Sequence, residues 1–235
     1  IGGTVLYRVF RATAIGGPYV QVGGDILGTG SPPAPYTDVG AGDPAPSAMY
    51  FYLIRTVDGA GNVADSTSRA AKFSADLAAG VSLVSFPVVA ADTSLGGLLQ
   101  TLTFRGAWTY DGCTGTWLTY SSVRPAGQNS LRTVARFQGL YVDLAAPDRL
   151  TVAGLVPTTT RVQLCGGWNL VAFPGFASMT AGQVRTATGA SAVLEFDPTA
   201  PPGLTRTMAP GDPMRSGRGY WIDVALPVNW DVPGR

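Results

Sequence analysis

An internal duplication limits the folds open to this chain more than any other feature of its sequence. Short markers recur in the same order in two copies, and the members of each pair lie about 80 to 87 residues apart. The matched segments are residues 80–87 and 167–174, residues 108–111 and 194–197, and residues 139–147 and 219–227. Two similarly folded units are therefore predicted, and chance similarity between short strands is the alternative.

The composition favours strands over helices. Gly (31 residues) and Pro (18 residues) are abundant, whereas Glu and Lys, which favour helices, occur only as Glu195 and Lys72. Val, Thr, Tyr and Trp are plentiful, which is typical of short strands joined by tight turns.

Two helices and one hairpin can be placed within the copies. Ser94 and Thr180 are the predicted caps of two short helices, and leucines follow Ser94 at helical spacing. Residues 108–110 and 117–120 alternate with a period of two around a turn at 111–115, which predicts a β-hairpin.

Residues 1–75 differ in character and contain several predicted strands. Three patterns stand out, namely Tyr7-x-Val9-x-Arg11, Tyr36-Thr37-Asp38, and Tyr50-x-Tyr52-x-Ile54 followed by Gly61-Asn62. Together they resemble a fibronectin type III domain, which implies a sandwich of two sheets. The first two strands of that family, with its usual core Trp, have no counterpart after Ile1, so half a sandwich is expected.

A half-sandwich would expose an apolar face and a bare strand edge. The predicted edge consists of Val5, Tyr7, Val9, Tyr52 and Ile54, and it is a candidate subunit contact. Three segments could cover this face and edge: further strands of the same polypeptide, the first copy folding back, or a strand donated by a second molecule. Head-to-tail donation of this kind would build a fibre.

The duplicated part resembles another group of sequences. Gly-Trp-Asn-Leu-Val-x-Phe-Pro, complete at residues 167–174, and the Gly-Tyr-Trp motif at 219–221 are similar to repeats of large secreted and cell-surface proteins of bacteria and archaea. The first copy departs from the pattern, with Val81 in place of Trp and Leu140 in place of the second aromatic residue. The resemblance implies a location outside the cell and no particular activity.

The predicted fold is all-β. It consists of an incomplete fibronectin type III-like sandwich and two duplicated small β-rich units, each with at most one short helix. The predicted domains are residues 1–75, residues 76–160 and residues 161–235.

Cys113 and Cys165 are the two cysteines of the chain. Their spacing fits no zinc or redox motif, and the chain has no His to complete a mixed zinc site. We predict a disulfide that ties the hairpin of the first unit to the second unit and closes a loop of about 50 residues. Two separate buried thiols are the alternative. A disulfide would fit an extracellular location.

Several classes of function are disfavoured. Without His, the chain lacks the Ser-His-Asp and Cys-His systems and the commonest general base. The net charge is +1 and the Arg residues are scattered, so no nucleic-acid partner is expected. The apolar runs are too short to cross a bilayer, so no membrane insertion is expected. Because the chain starts at Ile1, a processed product or a fragment is expected.

Equivalent aspartates occur in the two copies. Asp111 and Asp197 lie beside hairpin turns, where an Asp side chain stabilises the turn. Asp143 and Asp223 lie within predicted strands, where they either accept bonds from nearby donors or face solvent. No catalytic residue, metal site or cofactor is predicted.

Aromatic residues are the remaining candidates for ligand contact. They either fill a core or offer flat faces on which sugar rings can stack. The set comprises Trp108, Tyr110, Trp117, Tyr120, Trp168, Tyr220, Trp221 and Trp230. The candidate glycan-stacking residues among them are Trp108, Trp117, Tyr120 and Trp221.

Two functions from different classes remain. The first is a non-catalytic structural or adhesive protein outside the cell, such as a subunit of a surface filament or coat, with copies of itself or other cell-surface proteins as partners. The second is an ancillary module of a secreted hydrolase that binds polysaccharide. The chain is not expected to be an enzyme.

Overall fold

The computed structural model describes residues 5–28, 36–39, 42, 49–200 and 204–234. Within these ranges the chain forms antiparallel sheets and two short helices, so the all-β prediction is confirmed. A single 3-10 turn lies at Ala126–Gln128.

The first sheet is built from the N-terminal strands and one strand of the first unit. These are β1 (Leu6–Ala12), β2 (Val20–Leu27), β3 (Met49–Val57), β4 (Val63–Asp65), β5 (Arg69–Leu77) and β10 (Asp148–Val156). Their order is β10-β5-β3-β1-β2, with β4 paired to β3. Alternate residues face the core, as in the buried Met49, Phe51 and Leu53 of β3.

β1 is an inner strand, and this corrects the predicted edge. Arg11, for example, lies opposite Val20 on one side and Tyr52 on the other. Val5, Tyr7, Val9, Tyr52 and Ile54 therefore do not form a bare strand edge, because β2, β3, β4 and β5 satisfy the neighbouring backbone groups. Whether their side chains contact a second subunit stays a prediction.

One face of the first sheet borders a groove of about 1020 Å³. It is lined by Val9, Tyr52 and Ile54, by Leu155 of β10 in the same sheet, and by Val89, which bridges to Leu155. Ile54 and Leu155 remain 47% and 56% exposed. Among the described residues, part of this face of the sheet is thus open to solvent.

Residues 36–38, the second of the three patterns quoted for the N-terminal region, match a strand of the fibronectin type III family but form no strand here. The side chains of this segment bond to the first sheet instead. The Asp38 carboxylate accepts hydrogen bonds from Arg11 at 2.8 Å and from the Tyr52 hydroxyl at 3.1 Å, and the Tyr36 hydroxyl donates to the Val22 carbonyl.

β5 joins the first sheet to the first unit. Residues 70–73 pair with β3 on one side, and residues 69–77 pair with β10 on the other. Phe73 is buried, and the hydroxyls of Ser74 and Thr151 lie 2.8 Å apart across the β5–β10 pair. One sheet therefore crosses the predicted boundary at residues 75 and 76, and the division into domains stays a prediction.

The two units have the same strand order. The first contains β6 (Gly80–Val84), α1 (Leu95–Leu98), β7 (Phe104–Asp111), β8 (Thr116–Ser121) and β9 (Leu140–Leu144). The second contains β11 (Thr159–Leu164), β12 (Gly167–Ala172), β13 (Met179–Thr180), α2 (Ala181–Thr188), β14 (Ala190–Phe196), β15 (Thr205–Thr207), β16 (Pro213–Met214), β17 (Gly219–Val224) and β18 (Val228–Pro233). Their main sheets run β6-β9-β7-β8 and β12-β17-β14-β15, and the pairs β5–β10 and β11–β18 correspond.

Both helices lie at their predicted caps. The Ser94 hydroxyl accepts a hydrogen bond from the Gly97 amide at 3.1 Å. Thr180 and Gln183 form a reciprocal capping box, and Gly189 ends α2 in the left-handed conformation with φ 69°.

The two units contact each other through crossed backbone pairs. Val84 bridges to Arg218, and the equivalent residue of the second unit, Val171, bridges to Gln138. A Cβ atom on Gly219 would lie 3.1 Å from the Cα of Gly139. The equivalent glycines thus allow the two backbones to approach closely.

A side chain on Gly219 should separate the units. In Gly219→Ala the new methyl group would also lie 2.7 Å from the Leu83 Cδ1, so we expect the free energy of unfolding to fall by about 1 to 3 kcal/mol. Gly211→Ala is the matched control, since no atom lies within 4 Å of its added Cβ. Urea unfolding measures both, and equal effects would contradict this account.

Tyr220 should make stability fall in alkali. Its side chain is fully buried, and burial raises its pKa from 10.0 to about 12. Between these values the unfolded phenol loses its proton first, so the unfolded state binds fewer protons and the free energy of unfolding falls as pH rises. The full loss is about 2 to 3 kcal/mol. Urea titrations at about pH 9 and about pH 11 should show a smaller fall in Tyr220→Phe; equal falls would contradict it.

Candidate functional site: an aromatic cleft between the units

The main sheets of the two units pack together around a pair of equivalent aromatic residues. Tyr141 lies in β9 and Trp221 in β17, and the Trp221 indole Nε1 donates a hydrogen bond to the Tyr141 hydroxyl at 2.8 Å. Burial raises the pKa of the Tyr141 phenol. Leu83 and Leu170, also equivalent, pack in the same buried cluster.

Further rings extend this pair towards solvent. The ring centroid of Trp117 lies 5.8 Å from that of Trp221 and 5.2 Å from that of Tyr110. Trp168 approaches Trp221 edge-on, with 6.4 Å between centroids. Trp117 and Trp168 are 45% and 41% exposed, so this cluster is not a closed core.

The rings border a cleft of about 590 Å³. It is lined by Val81, Trp108, Tyr110, Trp117, Tyr141, Trp168, Leu194, Leu204, Thr205 and Trp221. Both units supply walls. Among these described lining residues none carries a charge. Six of them are tryptophans or tyrosines, four on strands of the first unit and one each on β12 and β17 of the second unit.

A disulfide ties the two walls together. Cys113 in the β7–β8 turn is bonded to Cys165, just before β12, with 5.0 Å between their Cα atoms. This confirms the predicted pairing. Asp111 fixes the turn by accepting a hydrogen bond from the Cys113 amide at 2.9 Å.

Asn169 fixes the backbone at Cys165, the other end of the disulfide. Its side chain accepts a hydrogen bond from the Cys165 amide at 2.9 Å and donates to the Cys165 carbonyl at 2.8 Å. It is buried beside Gly112, where an added Cβ would lie 2.5 Å from the Asn169 Oδ1. The segments that carry Trp117 and Trp168 are therefore fixed relative to each other.

Three of the four candidate stacking residues come together. Trp108, Trp117 and Trp221 all line the cleft, whereas Tyr120 packs against Phe104 with 5.5 Å between ring centroids. Tyr110 and Trp168, which belong to the wider aromatic set and not to the four candidates, also line the cleft, and Tyr141 was outside that set. Strand alternation could have indicated Tyr110, which shares a sheet face with Trp108. Their role in binding stays a prediction.

The equivalent aspartates serve local structure. Asp197, like Asp111, accepts a hydrogen bond from an amide two residues ahead in its turn. Asp143 forms a two-bond ion pair with Arg105 at 2.9 and 2.6 Å, and Asp223 accepts a bond from Ser191. In the described part of the chain, no group of three or more Cys, Asp or Glu side chains is placed to hold a metal ion.

No family model, no curated protein and no solved structure matches the chain. Within the described ranges, neither helix has the length and apolar character needed to cross a membrane.

Removing the disulfide should loosen both walls. In the double variant Cys113→Ser/Cys165→Ser, we expect the free energy of unfolding to fall by about 4 kcal/mol, the value expected for a loop of this size. The bonded residues are 52 apart in sequence. Urea unfolding with and without reductant tests this: reductant should destabilise the wild type and leave the variant unchanged. If reductant left the free energy of unfolding of the wild type unchanged, this account of the disulfide would be contradicted.

Proposed function

We propose that this chain is a non-catalytic extracellular protein that binds polysaccharide through the aromatic cleft. The half-exposed rings of Trp117 and Trp168 beside an open volume of about 590 Å³ carry this proposal. A cluster that served only as a core would bury such rings completely, since each exposed ring leaves apolar area in water. Concave sites with aromatic walls and few polar groups are typical of ligand binding.

The disulfide supports the proposed extracellular location. Disulfides persist in oxidising compartments, and this one closes the connection between the walls of the cleft. An ancillary module of a secreted hydrolase is the form of this function that the sequence predicted. The chemistry of the cleft itself supplies contact surface and hydrogen bonds, without a nucleophile or a general base.

A structural role in a surface filament or coat is the second candidate. The observation in its favour is β2, which is the outermost strand of the first sheet. Val20 and Leu27 on this strand are 65% and 58% exposed. An outer strand with apolar side chains can pair with another molecule. Sedimentation and electron microscopy at rising protein concentration would reveal such assembly.

Loss of the exposed rings should abolish polysaccharide binding. We expect Trp117→Ala and Trp168→Ala each to weaken binding on a glycan array by about tenfold or more, because each ring contributes about 1 to 3 kcal/mol of stacking or contact energy. Phe137→Ala is the matched control, since Phe137 is 40% exposed and lies outside the cleft. Circular dichroism checks that every variant is folded. Binding that survives both tryptophan changes would reject the cleft as the site.

A further inference from the structure

The walls of the cleft are uncharged, and this limits the class of sugar they can hold. Indole, phenol and hydroxyl groups supply the polar atoms of the described lining, as in Trp168, Tyr110 and Thr205. Such groups can bond to sugar hydroxyls. They cannot neutralise a carboxylate or a sulfate, and a buried anion without a counter-charge is strongly disfavoured.

The cations nearest along the lining strands are already engaged. Arg105 of β7 bonds to Asp143 through two nitrogens, and Arg206 of β15 bonds to Glu195 and, at 3.2 Å, to Asp212. Recruiting either cation for an anionic ligand would leave its carboxylate partner unpaired.

A second observation, independent of charge, comes from the backbone of Leu204. This residue lines the cleft with φ 53°, the left-handed conformation that a bulky side chain rarely adopts. Its amide donates to the Ala200 carbonyl and its carbonyl accepts from the Asp197 amide, both at 2.9 Å. Strained residues of this kind concentrate at binding sites, where the surrounding bonds hold them in place.

We propose that the cleft binds an uncharged oligosaccharide, whose rings stack on Trp117 and Trp168 while Leu204 closes the wall formed by the second unit. This inference rests on the proposed function and specifies its ligand. Leu204 acts as a specificity-determining contact, because its side chain fills space that a smaller residue would leave to water.

Calorimetry with matched hexasaccharides tests the ligand class. We expect cellohexaose or xylohexaose to bind at least about tenfold more tightly than hexagalacturonate, with little change between about 0.05 and about 0.5 M salt. Trp117→Ala should lose this binding. Tight binding of hexagalacturonate alone would overturn the ligand class and leave polysaccharide binding standing. Binding of none of these sugars, or of a proline-rich peptide in their place, would overturn both proposals.

Leu204→Gly tests the strained wall separately. Gly suits a positive φ, so we expect the melting temperature to stay the same or rise, whereas the affinity for the neutral hexasaccharide falls by about tenfold. Leu226→Ala is the control, since Leu226 is 76% exposed and outside the cleft, and it should keep wild-type affinity. Unchanged affinity in Leu204→Gly, or a clear loss of melting temperature, would overturn the role assigned to Leu204.

Discussion

The close approach of the two units at Gly139 and Gly219 determines where the remaining groups lie. Because neither residue has a Cβ, the backbones can meet. β6 bridges to the segment just before β17, and β12 bridges to the segment just before β9. Arg136 reinforces this contact from the buried side by donating to the Pro87 and Pro174 carbonyls, the ends of the two equivalent Phe-Pro motifs. The same approach brings the Trp221 indole within hydrogen-bond distance of the Tyr141 hydroxyl, and the cleft opens beside them.

The cleft has volume because the duplication is imperfect. Where the second unit has Trp168, the first has Val81; where the first has Trp117 opposite Tyr110, the second has Thr205 opposite Phe196. Large rings at all of these positions would compete for the same space around the contact. In each pair of equivalent positions one unit has a small residue, Val81 or Thr205. The opening that this leaves is bordered by the aromatic rings of the other unit. Divergence between copies, more than either copy alone, therefore accounts for the candidate site.

Local sequence patterns predicted the helix caps and the hairpin turn, which depend on local interactions. The caps at Ser94 and Thr180 and the turn at Asp111 depend on residues within a few positions. The free edge was mispredicted because β2 runs to Leu27, beyond its apolar start, and so pairs with β1 from Leu6 to Arg11. Alternation would have excluded Tyr120, which pairs with Ala107 on the face away from Trp117. No periodicity could bring Trp168 to Trp117, since their meeting requires the two units to pack.

The two candidate functions would use different parts of the sheets, the aromatic cleft for ligand binding and the β2 edge for assembly. At β8, the outer strand of the first unit, Ser130 and Asn129 cover the edge by accepting hydrogen bonds from the Thr119 and Ser121 amides, both at 2.9 Å. This protects the strand that carries Trp117 from pairing with another chain, and it leaves the ring free on the face of the sheet. β2, at the far side of the first sheet, is where strand pairing with a second molecule could occur. None of the residues of β2 lines the cleft, so strand pairing there and ligand binding in the cleft would use different surfaces. The two functions predicted from the sequence are therefore compatible. Of the two surfaces, only the cleft depends on the packing of the two units against each other.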